Sequence, residues 1–264
     1  MQHKARKRFG QNFLTDTSVI DRIIQSINPQ TNEKLVEIGP GLGALTCPLM
    51  KALGKLDVIE LDRDIIPKLR MNCGLIGELN IHNVDVLKFD FSELSKNSEQ
   101  LRIVGNLPYN ISTPIMFHLV NYAQIISDMH FMLQKEVVTR LAAKANTSDY
   151  SRLSVMAQYH FKVSPLFLVA PEAFSPRPKV DSAIVRLQPQ KEKPVNVGDE
   201  KFFAKLITRA FSQRRKTLRN VLKDVCSNDQ LSAASIDPGQ RAQEINLTQF
   251  ADLSRLMQAD NITP

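Results

Sequence analysis

The sequence predicts an α/β fold, in which a mostly parallel central sheet with helices on both faces is followed by a small all-α domain. Three observations predict it. Short apolar runs alternate with amphipathic segments of helical length, a glycine-rich turn follows the first of those runs, and only helical patterns occur beyond a polar, proline-containing stretch at 188–200. The 264 residues are enough for two unequal domains, which we place at residues 1–190 and 191–264.

Strands separated by helices are predicted through the first half of the chain. Each strand is a short run of β-branched or apolar residues, as buried strands are. The runs are Leu35 to Ile38, Leu56 to Leu61, Ile81 to Val86, Arg102 to Gly105 and Asp128 to Leu133. Helical spacing of apolar residues predicts helices near 43–53, 64–73, 112–124 and 134–144. This order favours a parallel sheet covered on both faces.

The pattern changes after Tyr150. A helix at 151–160 is followed by strands at Phe161 to Val169 and Ser182 to Leu187, which would extend the sheet, with an antiparallel arrangement as one option. The polar residues 188–200 indicate a linker. Beyond them, Lys201, Lys205 and Arg209 recur every four residues opposite an apolar stripe, so the first helix of the second domain has one packing face and one cationic face.

Composition excludes several classes of protein. Hydrophobic residues make up 43% and charged residues 23% of the chain, which is typical of a globular protein. No apolar run is long enough for a membrane span, and no apolar segment follows the basic N-terminal residues, so we expect a cytoplasmic protein. Cys47, Cys73 and Cys226 are far apart and form no C-x-x-C pair, which predicts three reduced thiols without a disulfide or zinc site.

Positive charge is concentrated towards the two ends of the sequence. The chain carries a net charge of +7, and eight basic residues with no acidic one occur from Lys201 to Lys223, while Lys4, Arg6, Lys7 and Arg8 form a second cluster. Clustered basic side chains attract a polyanion such as nucleic acid. The alternative interpretation is a solvated surface without a partner.

The sequence LVEIGPGLGALT places Gly39 and Gly41 directly after the first predicted strand. Glycines there allow a sharp turn and let a nucleoside ligand approach the backbone.

Glu60 follows Gly39 by 21 residues and can accept hydrogen bonds from ribose hydroxyls. Asp85, at the end of the third predicted strand, can accept a hydrogen bond from an adenine amino group. Either acid, Glu60 or Asp85, could instead cap a helix or a turn. An NAD-dependent oxidoreductase remains an alternative at this point.

The fourth strand ends in Asn106-Leu107-Pro108-Tyr109, which hydride transfer does not require. Adenine N6 is a poor nucleophile because its lone pair is delocalised into the ring. The Asn106 side-chain carbonyl and a main-chain carbonyl of the Leu107-Pro108 turn could accept hydrogen bonds from its two N–H groups. Tyr109 offers a stacking face for a base rotated out of its helix. These residues predict methyl transfer from S-adenosylmethionine to adenine N6, promoted mainly by alignment and without a metal.

Several motifs together resemble the ribosomal RNA adenine dimethylase family, in particular its bacterial small-subunit branch. They follow one another in order along nearly the whole chain: RKRFGQNFL, VEIGPGLGALT, IELDRD, GNLPYNIS, MLQKEV, FSPRPKVDSAIVRL and SQRRKTLRN. The resemblance implies a Rossmann-like class I S-adenosylmethionine-dependent methyltransferase fold. It also implies N6,N6-dimethylation of two adjacent adenosines in the 3′-terminal hairpin of 16S rRNA, and a role in the biogenesis of the small (30S) ribosomal subunit.

The resemblance also implies roles for individual residues. Those that would bind the methyl donor are Gln11, Asn12, Leu14, Gly39, Gly41, Glu60, Asp85 and Asn106, and those that would perform catalysis are Asn106, Leu107, Pro108 and Tyr109. Phe174 would hold the target base opposite Tyr109, with a core aromatic as the alternative. The remaining substrate contacts would be Arg214, Arg215 and Lys216, in a chain expected to act as a monomer.

Two further interpretations use the same residues differently. A DNA adenine N6-methyltransferase would share the chemistry, but such enzymes usually have a second proline where Leu107 stands. A non-catalytic RNA-binding assembly factor would keep the fold without turnover, but loss of function would be expected to alter Glu60, Asp85 or the Asn106 to Tyr109 motif.

Overall fold

The structure is a computed structural model that describes residues 12–95, 99–108 and 111–260. Two predicted site residues, Gln11 and Tyr109, lie outside the described residues, and so does the basic cluster from Lys4 to Arg8. No helix in the described ranges is both long and apolar enough to cross a membrane.

Within the described residues the central sheet has seven strands, which confirms the predicted α/β fold. In chain order the strands of the structure are β1 (Phe13–Leu14), β2 (Lys34–Ile38), β3 (Lys55–Ile59), β4 (Glu78–His82), β5 (Leu101–Asn106), β6 (Ile126–Gln134), β7 (Phe161–Val169), β8 (Phe174–Ser175) and β9 (Ser182–Pro189). The sheet order is β4-β3-β2-β5-β6-β9-β7, while β1 and β8 form a separate antiparallel pair. Strands β2 to β6 are parallel, and β9 is antiparallel to β6.

The helices lie largely where the apolar spacing predicts them. They are α1 (Thr17–Ile27), α2 (Thr46–Leu53), α3 (Ile66–Cys73), α4 (Ser112–Val120), α5 (Lys135–Ala142), α6 (Arg152–His160), α7 (Glu200–Ala210), α8 (Leu218–Val221), α9 (Asn228–Ala233) and α10 (Leu247–Ala259). Short 3-10 helices occur at Val86–Lys88, Phe91–Leu94, Ala123–Ile125, Pro171–Ala173 and Ala242–Glu244. Apolar side chains of the inner strands, such as Val36 and Ile103, are fully buried, as expected for a parallel sheet covered on both faces.

The strand order creates a crevice at one edge of the sheet. The chain leaves β2 towards β3 on one side and later returns to β5 on the other, so β2 lies at a topological switch point. In open α/β sheets, ligands bind beyond the carboxyl ends of the strands at such a point. The residues that end β2, β3 and β5 are Ile38, Ile59 and Asn106, and the paired registers bring these three ends together.

Several elements differ from the sequence prediction, among them the short strands β1 and β8, which were not predicted. Helix α1 was not predicted, although Asp16 caps it by accepting hydrogen bonds from the backbone N–H groups of Ser18 (2.9 Å) and Val19 (3.2 Å). The third strand was predicted too late in the sequence, because it ends at His82 and the chain turns there. Asp85 therefore lies in the loop after β4 and not within the strand.

The predicted set of three thiols was wrong. Cys47 in α2 and Cys73, the last residue of α3, form a disulfide with their Cα atoms 5.1 Å apart, while Cys226 is free and buried. The two residues are 26 positions apart in the sequence, a spacing that carries no disulfide signal. They come together because α2 and α3 follow the neighbouring strands β2 and β3.

Contacts divide the chain into two compact units, Met1–Val138 with Val163–Pro189, and Thr139–Lys162 with Gln190–Pro264. The second unit thus holds residues 139–162 in addition to those after the predicted boundary at 190. Within it, the Gln190 N–H donates to the His160 carbonyl (2.9 Å), and the rings of Tyr159 and Phe203 are 5.4 Å apart. These contacts explain why α6 is grouped with the C-terminal helices, which the order of elements in the sequence does not reveal.

Candidate active site

A cavity of about 710 Å³ lies at the carboxyl ends of β2, β3 and β5. Its volume is within the range of nucleotide and drug-sized ligand sites. The structure brings most of the predicted site residues together around it: Asn12, Leu14, Gly39, Gly41, Glu60, Asp85, Asn106, Leu107, Pro108 and Phe174. The position of these residues follows from the topology, since they come from segments that follow neighbouring strands.

The glycine loop between β2 and α2 forms one wall of the cavity. Gly39 and Gly41 have φ angles of 67° and 56°, which side chains rarely tolerate. A Cβ atom at Gly41 would also lie 3.3 Å from the Phe13 ring. The loop therefore needs glycine for its conformation at both positions, and at Gly41 also for the close approach of β1.

Glu60 is held at the cavity by two backbone hydrogen bonds. Its carboxylate accepts from the N–H of Asp62 (2.8 Å) and from the N–H of Gly41 (3.4 Å). The side chain is buried, and this burial raises the pKa of Glu60 above its ordinary value. Because each carboxylate oxygen has more than one acceptor site, the group can also bind ribose hydroxyls, as the sequence predicts.

Asp85 lines the same cavity and also caps a short helix. Its side chain accepts a hydrogen bond from the backbone N–H of Leu87 (3.0 Å) at the start of the 3-10 helix Val86–Lys88. Both interpretations of this acid from the sequence are therefore compatible with its position. The cap fixes one carboxylate oxygen, Oδ1, while the residue faces the cavity.

Asn106 ends β5 with its side chain oriented by one hydrogen bond. Its Nδ2 donates to the carbonyl oxygen of Asn12 (3.2 Å), so Oδ1 lies on the other side of the amide group. In the following turn, the Pro108 carbonyl accepts from the Ile111 N–H (3.1 Å) and from the Ser112 hydroxyl (3.3 Å). Of the two main-chain carbonyls considered from the sequence, that of Pro108 is therefore engaged, and that of Leu107 is the better candidate acceptor.

The position of Phe174 is compatible with both roles considered from the sequence. It lines the cavity, yet it is only 5% exposed and packs in the same hydrophobic cluster as Leu14. Leu14 and Phe174 are also register partners in the β1–β8 pair. The aromatic ring is thus held by the core on one side and borders the cavity on the other.

One residue of the cavity was missed by sequence reasoning. Glu37 lies in β2, is buried, and accepts a hydrogen bond from the Thr46 hydroxyl (2.6 Å). Burial raises the pKa of Glu37 to about 8, and the nearby Glu60 carboxylate adds to the effect. The signal in the sequence was a carboxylate inside an otherwise apolar strand, which is rare unless the residue is functional.

The three predicted RNA contacts lie in the second unit. Arg214, Arg215 and Lys216 follow α7 and are all exposed. The Arg214 guanidinium donates to the Ser148 carbonyl within the same unit (2.6 Å), so part of its hydrogen-bonding capacity is used internally. Arg215 and Lys216 remain candidates for contacts with phosphate groups.

The residues of the cavity fit S-adenosylmethionine. Glu60, a buried acid directly after β3, suits a ribose, and Asp85 in the loop after β4 suits an adenine amino group. The open glycine backbone after β2 suits close approach of the ligand. Asn106 stands beside this set and can face the methyl-accepting atom. No group of three or more potential metal-ligating side chains in the described parts of the chain is arranged to hold a metal ion.

Comparisons with known proteins identify close relatives. The sequence model of the ribosomal RNA adenine dimethylases matches residues 2–259. The ribosomal RNA small subunit methyltransferase A of Pseudomonas aeruginosa is 54% identical over 253 residues, which cover 96% of this chain and 94% of the relative. The protein of the same name from a Marinomonas species is 53% identical, with 96% and 95% of the two chains covered.

Solved structures show the same fold. The crystal structure of a dimethyladenosine transferase from Plasmodium falciparum matches with a TM-score of 0.80 at 25% identity, covering 95% of this chain and 99% of the other. The 23S rRNA methyltransferase ErmE matches with a TM-score of 0.71 at 24% identity, over 94% and 100% of the two chains. At that identity, the second match is evidence for the fold alone.

Proposed function

The chain belongs to the ribosomal RNA adenine dimethylase family, and we propose that it converts two adjacent adenosines near the 3′ end of 16S rRNA to N6,N6-dimethyladenosines. It has the class I methyltransferase fold and uses S-adenosylmethionine as methyl donor. The oxidoreductase interpretation of the glycine loop is thereby set aside. The choice of 16S rRNA rests on the relatives, which are named as small-subunit methyltransferases and cover almost the whole chain.

The observation that carries the proposal is the position of Asn106. It combines a fixed amide orientation with a place at the wall of a cavity large enough for a nucleoside and a base. A binding protein without turnover would need the cavity but not an oriented acceptor at its edge. We therefore propose that Asn106 accepts a hydrogen bond from the target amino group.

The residues of the protein would promote the reaction by aligning adenine N6 with the methyl group of the donor. Bound S-adenosylmethionine supplies an activated methyl group on a sulfonium. Asn106 Oδ1 and the Leu107 carbonyl would accept hydrogen bonds from the two N6–H groups, which directs the nitrogen lone pair out of the ring plane and towards the methyl carbon. Phe174 and Tyr109 would hold the base between them, a contact worth about 1–3 kcal/mol per base. Alignment of this kind can supply up to about 7–11 kcal/mol.

Binding of the RNA would use the basic surface of the second unit. Arg215 and Lys216, with Arg214 beside them, would contact phosphates of the rRNA around the target hairpin. The expected substrate is the assembling small (30S) ribosomal subunit, and the expected location is the cytoplasm, where that subunit forms. Nothing in the proposed chemistry requires a second copy of the chain, so we expect a monomer.

Incubation of undermethylated small ribosomal subunits with labelled S-adenosylmethionine tests the proposal. We expect label in two adjacent adenosines of the 3′-terminal hairpin and dimethylated nucleosides after digestion. A DNA hairpin of the same sequence serves as the comparison for the DNA methyltransferase alternative. Label in the DNA alone, or binding of subunits without any methyl transfer, would contradict the proposal and favour one of the two alternatives.

A further inference from the structure

The disulfide between Cys47 and Cys73 lies against the cavity that is assigned to the methyl donor. Cys47 is part of the cavity lining, and so is Asn72, the neighbour of Cys73. Cys47 belongs to the first turn of α2, which continues directly from the glycine loop, and Cys73 is the last residue of α3. The covalent link therefore joins the helix behind the glycine loop to the helix that follows the Glu60 loop.

The glycine loop rests directly on this link. A Cβ atom at Gly43 would lie 2.5 Å from Cys73 Sγ and 3.3 Å from Cys47 Sγ, so the loop backbone packs closely against both sulfur atoms. One residue earlier, the Leu42 carbonyl accepts a hydrogen bond from Asn72 Nδ2 (2.8 Å). The end of α3 thus holds the loop from Leu42 to Gly43 through a hydrogen bond and through sulfur packing.

We propose that Cys47 and Cys73 form a reversible thiol–disulfide site that controls binding of the methyl donor. The proposal rests on the proposed function in the identity of the donor and in the expected cytoplasmic location, and not in the choice of RNA. A disulfide in a protein of a reducing compartment is usually transient and redox-sensing. Such a site takes electrons from a dithiol reductant and returns them to a disulfide oxidant.

The reduction can be written in balanced steps. One thiolate of the reductant attacks Cys47 Sγ, which forms a mixed disulfide and releases Cys73 as a thiolate. The second thiolate of the reductant then attacks the reductant sulfur of the mixed disulfide and releases Cys47 as a thiolate. The reductant ends as a disulfide, and both protein thiolates take up a proton. Cys47 is the point of attack because it is partly exposed and lines the cavity, while Cys73 is fully buried.

The direction of the effect follows from preorganisation. The oxidised form holds α3 to α2 and the glycine loop in the conformation that opens the cavity, and fixing a loop in its binding conformation raises affinity. In the reduced form, α3 and the loop are no longer joined by a covalent link. We therefore expect reduction to weaken donor binding about fivefold or more, the lower end of usual coupling between sites.

The binding experiment uses the full chain in two states, oxidised with glutathione disulfide or reduced with dithiothreitol. Calorimetry measures the Kd of S-adenosylmethionine and of S-adenosylhomocysteine, and mass spectrometry after alkylation counts the thiols. We expect a Kd at least about fivefold higher in the reduced form. Equal Kd values, or no disulfide after oxidation, would overturn the proposal of a redox site but would leave the donor assignment intact. Absence of binding in both states would overturn the donor assignment and this proposal with it.

Matched variants separate this site from general effects of oxidation. The double variant Cys47→Ser with Cys73→Ser should bind the donor as the reduced protein does and should not respond to oxidant. Cys226→Ser should respond as the wild type does, because Cys226 is buried in the other unit and burial raises its pKa to about 11. A double serine variant that still responds to oxidant would contradict the proposal.

A measurement on the wild type alone keeps the test valid if the serine variants do not fold. If the oxidised form binds the ligand more tightly, the bound ligand must in turn stabilise the disulfide. We expect saturating S-adenosylhomocysteine to shift the equilibrium between the two thiols and the disulfide about fivefold or more towards the disulfide, measured in dithiothreitol redox buffers. An equilibrium that the ligand leaves unchanged would count against the site.

Discussion

At the scale of single residues, two polar side chains at the cavity differ in their burial and in the hydrogen bonds that hold them. Asn106 has an orientation fixed by the Asn12 carbonyl, which suits a hydrogen-bond acceptor that must not rotate. Glu37 is held by the Thr46 hydroxyl and has a pKa raised by burial to about 8, so it is largely protonated at neutral pH. The sequence motif revealed the first residue, whereas the signal for the second was only a carboxylate inside an otherwise apolar strand.

Replacement of Asn106 by alanine should reduce catalysis and spare RNA binding. The change removes one acceptor that is aligned with the reacting amino group, which typically costs about 10²–10³-fold in kcat. Methyl transfer to small subunits and filter binding of the same subunits measure the two properties. Asn121→Ala is the comparison, because it makes the same change at an exposed position outside the cavity lining. Unchanged kcat in Asn106→Ala would rule out the assigned role.

The pKa of Glu37 predicts how stability depends on pH. Since the folded pKa is raised to about 8 from an ordinary value of 4.5, the stabilising effect of the bound proton is complete below about 4.5 and is lost as pH rises towards 8. In this window the free energy of unfolding should fall by up to about 1.4 kcal/mol per pH unit from this group.

Glu37→Gln should remove this slope, because glutamine does not titrate and can still accept from the Thr46 hydroxyl. Urea unfolding of wild type and variant between about pH 5 and pH 8 measures it. The stability of the variant relative to wild type should rise with pH. The exposed Glu192→Gln serves as control, and parallel pH curves for wild type and Glu37→Gln would contradict the assignment.

At the scale of elements, the strands of the central sheet and most helices were predictable, because apolar periodicity is a local property. The third strand was placed too late, since the turn after His82 depends on the Asn83 side chain, which donates to the Glu60 carbonyl (2.7 Å) in another loop. The Cys47–Cys73 link also depends on packing between distant segments, whereas α1 had a local signal in its cap residue Asp16 that the prediction did not use. The candidate site was largely predictable because its residues occur in motifs at strand ends, whereas Glu37 lies inside a strand.

One arginine connects several elements of the first unit. The Arg102 guanidinium, in β5, donates to both carboxylate oxygens of Asp128 in β6 (2.8 and 3.1 Å), to Glu33 (2.7 Å) and to the Ile27 carbonyl at the end of α1 (2.7 Å). Asp128 also accepts from Arg186 in β9 (2.9 Å). These bonds fix the order of β5, β6 and β9 at the amino-terminal half of β6.

Arg102→Ala should therefore destabilise the first unit strongly. It leaves the buried Asp128 carboxylate with Arg186 as its remaining arginine partner, and loss of one member of a buried ion pair costs about 3–5 kcal/mol. Urea unfolding measures the change. Arg255→Ala is the control, since its ion pair is about half exposed and should contribute at most about 1 kcal/mol. Equal effects of the two substitutions would show that the buried network does not stabilise the fold.

At the scale of the whole molecule, the two units differ in the distribution of charge. The basic residues from Lys201 to Lys223 include no acid, whereas the cavity of the first unit is lined by the carboxylates Glu60 and Asp85. An acidic cavity suits a cationic donor, and a basic surface suits RNA. The sequence predicted this separation, because charge clusters are visible without any structure.

The basic surface predicts a steep dependence of RNA affinity on salt. Arg215→Ala with Lys216→Ala removes two exposed charges, so the slope of log affinity against log salt should become shallower by roughly 0.7–0.9 for each phosphate that the variant no longer neutralises. The control is Lys51→Ala with Arg70→Ala, which changes the net charge equally on exposed positions of the first unit. Identical slopes for both double variants would show that Arg215 and Lys216 do not contact RNA.

The short pairing of β1 with β8 has a consequence for the timing of the catalytic cycle. Phe13 lies over Gly41 beside the donor cavity, and its strand partner β8 carries Phe174, which is proposed to hold the base. A shift of either segment must move the other, because they share backbone hydrogen bonds. We therefore expect the two binding events to be coupled, so that saturating S-adenosylhomocysteine changes the Kd of the RNA; an unchanged Kd would contradict this coupling.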